Sequence, residues 1–390
     1  MKNFDFYSPT KIYFGPNKEN DVGSILKSLG AEKVLVVIGK NSVIKSGLLE
    51  KVAKSLEEAV IPYAILKGVR ANPTFDLVAE GLKIVREEKI NYLLAVGGGS
   101  VIDTAKCIAV NAYHSGDVKD FNLRVAEPKK ALPIGVILTI SAAGSELSSS
   151  CVIQDDETGM KNGFNSDLVR PQFVIENPEL TYSVSEEQTA YGVVDILMHT
   201  LERYFSPSEK NELADEFAIG LIKNVINVGL KAYKNPDNYD YRASLMLASS
   251  LSHNGITSIG KKYYMPVHQL EHPLSGKFVK IAHGAGLAVL FPAWCKYYYK
   301  YDIDKFARLG NEVFNINTLD KEEASLLTIH AFQKYFKKLG MPTRLSDLGV
   351  KEKDIEDLVS NVTRKGTRTV FHHKKPIDDE VARQIYYSCL

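Results

Sequence analysis

The chain has 390 residues and a formal net charge of +1. That near-neutral balance excludes a nucleic acid or an anionic membrane surface as the main partner, since either calls for a concentrated basic face. No apolar run approaches the roughly 20 residues that cross a bilayer, and the opening MKNFDFYSPTKIYFG carries no apolar stretch of the secretory type.

At roughly 100–200 residues per domain the length predicts two domains. Cys107, Cys151, Cys295 and Cys389 are scattered, with no C-x-x-C pair. They predict buried thiols in a reducing, cytoplasmic setting rather than disulfides or a zinc knuckle.

In chain order, KVLVVIG (Lys33–Gly39) is the first predicted strand, a short valine-rich run of the kind buried in parallel sheets. A helical pattern, SGLLEKVAKSLEEA, follows. PYAILKG (Pro62–Gly68) is the second strand, FDLVAEGLKIVREEK an amphipathic helix, and NYLLAVGGGS (Asn91–Ser100) the third strand with its turn. VIDTAKCIAVNAY is a helix and LPIGVILTI (Leu132–Ile140) the fourth strand. CVIQDDETGMKNGF reads as a hairpin, and FVIENPEL (Phe173–Leu180) as a last strand stopped by Pro178. Strand–helix alternation of this kind predicts a parallel sheet covered on both faces. From about Ser185 helical periodicities take over and continue to the C-terminus. The predicted organisation is an α/β domain over 1–183 and an all-α domain over 184–390.

VGGGSVID (Val96–Asp103) lies where strand passes into helix. Glycines admit close approach of a ligand to the backbone, and the helix start offers free N–H groups and a positive dipole end to a phosphate. Ser100 is a candidate N-cap and phosphate ligand. The spacing is not G-x-G-x-x-G, so a tight turn without a ligand stays open as the alternative. After the first strand stand Gly39, Lys40, Asn41 and Ser42, with no acid to hold a free ribose 2′-hydroxyl. Lys40 and Ser42 suit a 2′-phosphate, which points to NADP(H) over NAD(H).

Asp195 and His199 are four apart in YGVVDILMHTLERYF and share one helix face. His268 and His272 repeat that spacing in HQLEHPLSG, and His283 follows before an apolar run. A buried acid beside a histidine calls for a hydrogen-bonded pair or a cation, and both readings remain open on spacing alone. A mixed nitrogen and oxygen ligand set suits Fe(II) or Zn(II). His114, His330, His372 and His373 show no partner pattern and read as ordinary surface or core residues.

Taken together, FYSPTKIYFG, GGGSVIDTAK, LTISAAGSELSSSCVI, the Asp195/His199 helix, SHNG and HQLEHPLSG…AHGAGLAVLFPAW resemble the iron-containing (group III) alcohol dehydrogenases, on the butanol dehydrogenase and aldehyde reductase branch. The resemblance spans nearly the whole chain. It implies a dehydroquinate synthase-like fold: a dinucleotide-binding α/β domain, a helical domain, and a site in the cleft between them. It places metal ligands on Asp195, His199, His268 and His283, with Fe(II) foremost and Zn(II) as the alternative, and sets His272 near the nicotinamide as a catalytic participant. It places pyrophosphate binding on Gly97, Gly98, Gly99 and Ser100, with Asp103 nearby. Thr139, Ser141 and Ser145 fall in the loop along the cofactor, and Gly39 to Ser42 in the segment reading the adenosine ribose. The implied reaction interconverts aldehydes and primary alcohols by hydride transfer, with a small-molecule substrate and a homo-oligomer, a dimer, as the assembly. Two alternatives follow from more distant resemblances: a polyol dehydrogenase, disfavoured by the full histidine set, and a dehydroquinate synthase-like lyase. The lyase would need an arginine cluster beside Lys277 and Lys280, which the sequence lacks.

Overall fold

Valine, isoleucine and leucine alternate between two destinations in the central strands. The computed structural model describes residues 1–207 and 211–390. Its eight strands are β1 (Lys11–Phe14), β2 (Val34–Gly39), β3 (Tyr63–Val69), β4 (Tyr92–Gly97), β5 (Ile134–Leu138), β6 (Ser150–Asp155), β7 (Met160–Asn165) and β8 (Phe173–Glu176). Six form a sheet in the order β1-β8-β5-β4-β2-β3, every pairing parallel. The antiparallel β6–β7 pair is the hairpin expected at that place, turning through Gly159 at φ +67°.

The described residues divide into two compact units. One holds 7–184 and 236–254, the other 1–6, 185–235 and 255–390. In the first, Leu35, Val37, Leu93, Ala95 and Val136 point to one side of the sheet. Val34, Val36, Leu94, Val96 and Ile175 point to the other, as the period-2 geometry of strands requires. The helices α4 (Phe75–Glu87) and α5 (Gly99–Asn111) cover the first face, while α1 (Val22–Ser28) and α3 (Leu48–Glu58) cover the second. A short helix, α2 (Ser42–Lys45), follows β2 and is parted from α3 by Gly47, which sits at φ +74°.

In the second unit lie α6 (Glu186–Phe205), α7 (Glu212–Lys234), α9 (Pro266–Lys277), α10 (His283–Tyr298), α11 (Ile303–Phe314), α12 (Lys321–Lys338), α13 (Ile355–Val362) and α14 (Asp379–Ser388). Trp294 of α10 anchors its core against the rings of Phe205, Phe291 and Phe306.

Four details depart from the sequence reading. Strand β1 was not foreseen: KIYF is half exposed and pairs only along β8, so it lacks the continuous apolar run that marks a buried strand. The last strand stops at Glu176, not Leu180, because Asn177 caps a 3-10 turn with Pro178 at its start. The helix predicted from SGLLEKVAKSLEEA begins at Leu48, after the left-handed Gly47. The division 1–183 and 184–390 is crossed twice: α8 (Tyr239–His253) belongs to the α/β unit, and residues 1–6 to the helical one. Helical periodicity identifies α8 as a helix but carries no information about which core it joins. The four cysteines are free and buried, and no helix among the described residues is long and apolar enough to cross a membrane.

Candidate metal centre and nucleotide-binding turn

Three helices of the helical unit bring one carboxylate and three imidazoles together. Helix α6 opens at Ser185, whose hydroxyl accepts from the Gln188 N–H, and from Ala190 onward it is almost wholly buried. Asp195 and His199 lie one turn apart on it. Pro266 starts α9, which puts His268 in its first turn. Helix α10 begins at His283 itself. Its second residue must be glycine: a Cβ on Gly284 would stand 2.4 Å from the Tyr191 carbonyl oxygen of α6.

The resulting cluster is tight. Nε2 of His199 and of His268 each lie 3.5 Å from Asp195 Oδ1, and Nε2 of His283 lies 3.9 Å from it. Asp195, His199 and His268 are each 6% exposed, while the His283 side chain is 28% exposed. Asp195 Oδ1 and His268 Nε2 are fully buried, and neither makes a hydrogen bond. Buried polar atoms left in this way are costly, and native proteins rarely carry them. Two ligands each about 2.1 Å from a tetrahedral ion stand about 3.4 Å apart, close to the 3.5 Å that separates Asp195 Oδ1 from Nε2 of His199 and of His268. The residues therefore fit a divalent metal ion: one ligand atom each of Asp195, His199 and His268 lie within 4.8 Å of one another, and His283 Nε2 approaches Asp195 Oδ1 from beside them. Burial by itself would lower the pKa of His268, but Glu202 and Asp195 outweigh it and lift the imidazole to about 9. The pocket is thus built for positive charge.

His272 sits one turn past His268 on α9. It is half buried, and its ring centroid is 5.9 Å from that of His283. It stands beside the ligand cluster, outside the group of atoms that converge on Asp195.

Two residues not singled out from the sequence face the same cluster. Glu202 Oε2 accepts from His268 Nδ1, and Glu271 Oε2 from His283 Nδ1. A signal was there to be read: positions 195, 199 and 202 share one helix face, and 271 is three residues past 268. A second grouping of the same chemical kind, Asp302 with His372 and His373, was also missed. Its histidines, which show no partner pattern in the sequence, face Asp302 at 3.7 and 3.0 Å. His372 Nδ1 accepts the backbone N–H of Lys374 at 3.3 Å, and its Nε2 makes no hydrogen bond.

In the α/β unit, β4 ends at Gly97 and α5 starts at Gly99, with Gly98 as the extended N-cap. Ser100, a candidate N-cap from the sequence, therefore lies in the first turn of α5, and Gly98 takes the cap position instead. The glycines are needed by the protein's own packing: a Cβ on Gly97 would lie 2.5 Å from Val101 Cγ2, and one on Gly98 2.3 Å from Ile140 Cγ2. The first N–H groups of α5 have no partner within the helix, an arrangement suited to a phosphate.

Asp103 is held by the protein. Ser145 Oγ donates to its Oδ1 at 2.6 Å and the Val152 N–H to its Oδ2 at 3.0 Å. Lys106 donates to the carbonyls of Ser145, Ser148 and Ser150 at 2.7–2.9 Å, and burial pulls its ammonium down to about 8 despite Asp103. These contacts fix the loop carrying Thr139, Ser141 and Ser145. Thr139 donates its N–H to the Gly97 carbonyl, and Ser249 and His253 of α8 bond to Ala142 and Ala143. Lys40, Asn41 and Ser42 are exposed after β2, with Gly39 half buried at the strand's end.

Comparison with known proteins agrees along the chain. Residues 9–178 match the iron-containing alcohol dehydrogenase family, and residues 189–388 its C-terminal portion. NADH-dependent butanol dehydrogenase A of Clostridium acetobutylicum is 37% identical over 388 residues, 99% of each chain. The NADPH-dependent aldehyde reductase YqhD of Escherichia coli is 33% identical over 99% of each chain. Among solved structures, a butanol dehydrogenase A from Thermotoga maritima superposes with a TM-score of 0.96 at 35% identity, over 100% of this chain and 99% of that one.

Proposed function

Since the chain belongs to the iron-containing alcohol dehydrogenase family, we propose that it interconverts aldehydes and primary alcohols by hydride transfer from and to NADP(H), at a site held by Asp195, His199, His268 and His283. In the reducing direction an aldehyde takes up one hydride and one proton to become the alcohol. A bound divalent ion supplies Lewis acidity toward the substrate oxygen, and the nicotinamide supplies the hydride. The chain's own residues do the rest. Asp195 and the three imidazoles present four ligand atoms from three helices, so the site exists only when α6, α9 and α10 are packed. His272, beside His283, delivers the proton to the oxygen that becomes the hydroxyl, a role suited to an imidazole near neutral pH. The N-terminal turn of α5, with Gly97 to Ser100, receives the pyrophosphate, and Asp103 holds the neighbouring loop through Ser145.

The convergence of three imidazole Nε2 atoms on the unbonded Asp195 Oδ1 carries this reading. For the cofactor, the support is the turn after β2: Gly39, Lys40, Asn41 and Ser42 bring a cation and a hydroxyl and no acid. The relatives named above divide on this point, one NADH-dependent and one NADPH-dependent.

The test follows NADPH and NADH oxidation with butanal, on protein stripped by chelator and reloaded with Fe(II) or Zn(II). Activity returns only on reloading, and NADPH is the better cofactor. Replacing Lys40 and Ser42 together by alanine weakens NADPH roughly tenfold, as the loss of one charge-assisted contact implies, and changes NADH by less than threefold. Equal loss for both cofactors would overturn the NADP(H) assignment. Full activity in the stripped protein would overturn the metal site.

A further inference from the structure

Glu202 and Glu271 are fully buried, and a carboxylate in so dry a place is expensive unless its charge is answered. Neither is one of the four atoms facing the centre of the cluster. Glu202 lies on α6 two turns past Asp195. Its Oε2 accepts from Nδ1 of His268, and its Oε1 accepts the Val267 N–H at 2.5 Å, which ties it to the first turn of α9. Glu271, on α9, takes the corresponding bond from Nδ1 of His283 at the start of α10. His199 is backed differently. Arg203, also fully buried, donates from Nη1 to the His199 carbonyl at 2.5 Å and passes 3.4 Å from its Nδ1. With neutral imidazoles, the three carboxylates of Asp195, Glu202 and Glu271 stand against one guanidinium, which leaves two negative charges.

We propose that Glu202 and Glu271 are positioning residues for a divalent cation, fixing which nitrogen of His268 and His283 faces it and supplying the charge it balances. The inference rests on the metal reading above. A carboxylate on Nδ1 keeps the ring hydrogen there, so each Nε2 presents a lone pair to the centre, and it makes the imidazole a stronger donor. The same two glutamates bring the buried group to a net charge that one +2 ion cancels, whereas a monovalent ion leaves it unbalanced.

The experiment titrates metal-free full-length protein with Co(II), reads the visible absorption band, and measures affinity by competition with a chelator. Glu202→Gln and Glu271→Gln keep an acceptor oxygen and remove the charge. Glu202→Leu and Glu271→Leu remove both. The expected result is Co(II) binding 10–100-fold weaker in each glutamine variant, the range typical when such a partner is lost. The leucine variants lose more and shift the band, so glutamine is a partial rescue. Glutamine variants that fold and bind Co(II) within twofold of the parent would overturn the proposal, and the leucine variants need not fold for that result to stand. Failure of the underlying metal reading shows separately, as a parent protein that takes up no Co(II) or a His268→Ala variant that binds it as well as the parent, and the proposal falls with it.

Discussion

At the scale of single residues, the histidines of the cluster are unequal. His268 and His283 each have a buried carboxylate behind them, while His199 has a guanidinium. A cation beside Nδ1 weakens an imidazole as a donor, and a carboxylate strengthens it. His268→Ala and His283→Ala are expected to lose retained metal and at least a thousandfold in activity, with the fold preserved, and His199→Ala to lose less metal than either. Metal analysis after dialysis, alongside circular dichroism, checks the order. His372 supports a prediction of a different kind. Burial, then His373, lowers it to about 4, against the pull of Asp302. The unfolded chain protonates this residue near its ordinary value of about 6.5, and the folded chain does so only near 4. Between those values the unfolded state binds more protons, so stability falls as pH falls through the window and is unaffected above it. The loss by pH 5 is on the order of 2 kcal/mol. Urea denaturation at pH 7 and pH 5 should show it in the parent protein and not in His372→Gln.

At the scale of elements, the cluster depends on how closely α10 approaches α6. Gly284 is where they meet: the nearest atoms to an added Cβ are Tyr191 O, Cα and C at 2.4, 2.7 and 2.9 Å. These are backbone atoms and cannot turn aside as a side chain can. Alanine is the better helix former by about 1 kcal/mol, yet overpacking against a rigid neighbour costs about 1–3 kcal/mol, and here the clash wins. Gly284→Ala is expected to lower the melting temperature of the metal-free protein. It should also weaken metal binding, because the adjacent residue is His283. A variant with unchanged melting and unchanged metal affinity would show that the approach of α10 does not set the site.

At the scale of the whole molecule, the return of α8 to the α/β unit has consequences for its independence. Ser250 of α8 lies 2.6 Å from both Glu146 Oε1 and Glu176 Oε1, and both glutamates are fully buried. Burial, then Glu146, raises Glu176 to about 8. One hydroxyl hydrogen cannot serve two ionised carboxylates, so the trio shares a proton in the dry interior. Ser249 and His253 clamp the loop at Ala142 and Ala143, and Met246 belongs to the core of the sheet. A fragment ending at residue 184 keeps every strand of the sheet and loses all of this. It is expected to be insoluble, or to lack fixed tertiary packing by near-ultraviolet circular dichroism. Fusing residues 236–254 to it should restore packing at least in part.

The sequence by itself determined which segments are strands and which are helices, the half-exposed β1 excepted, because periods of 2 and 3.6 are written in the order of apolar residues. It also carried the candidate ligands, since Asp195 with His199 and His268 with His272 are helical neighbours at fixed spacing. Only the tertiary structure decided which of those histidines meet. His268 and His283 join Asp195 because α9 and α10 start beside α6, while His272, in the same motif, stands to one side. It also decided that Glu202 and Glu271 stand behind two of the ligands, that α8 rejoins the sheet, and that Gly97 and Gly98 are glycines for the sake of neighbouring side chains. The physical reason is common to all of these. A local pattern records the face a residue occupies on its own element, and the partner on another element is chosen by packing over long stretches of chain, which no single window of sequence contains.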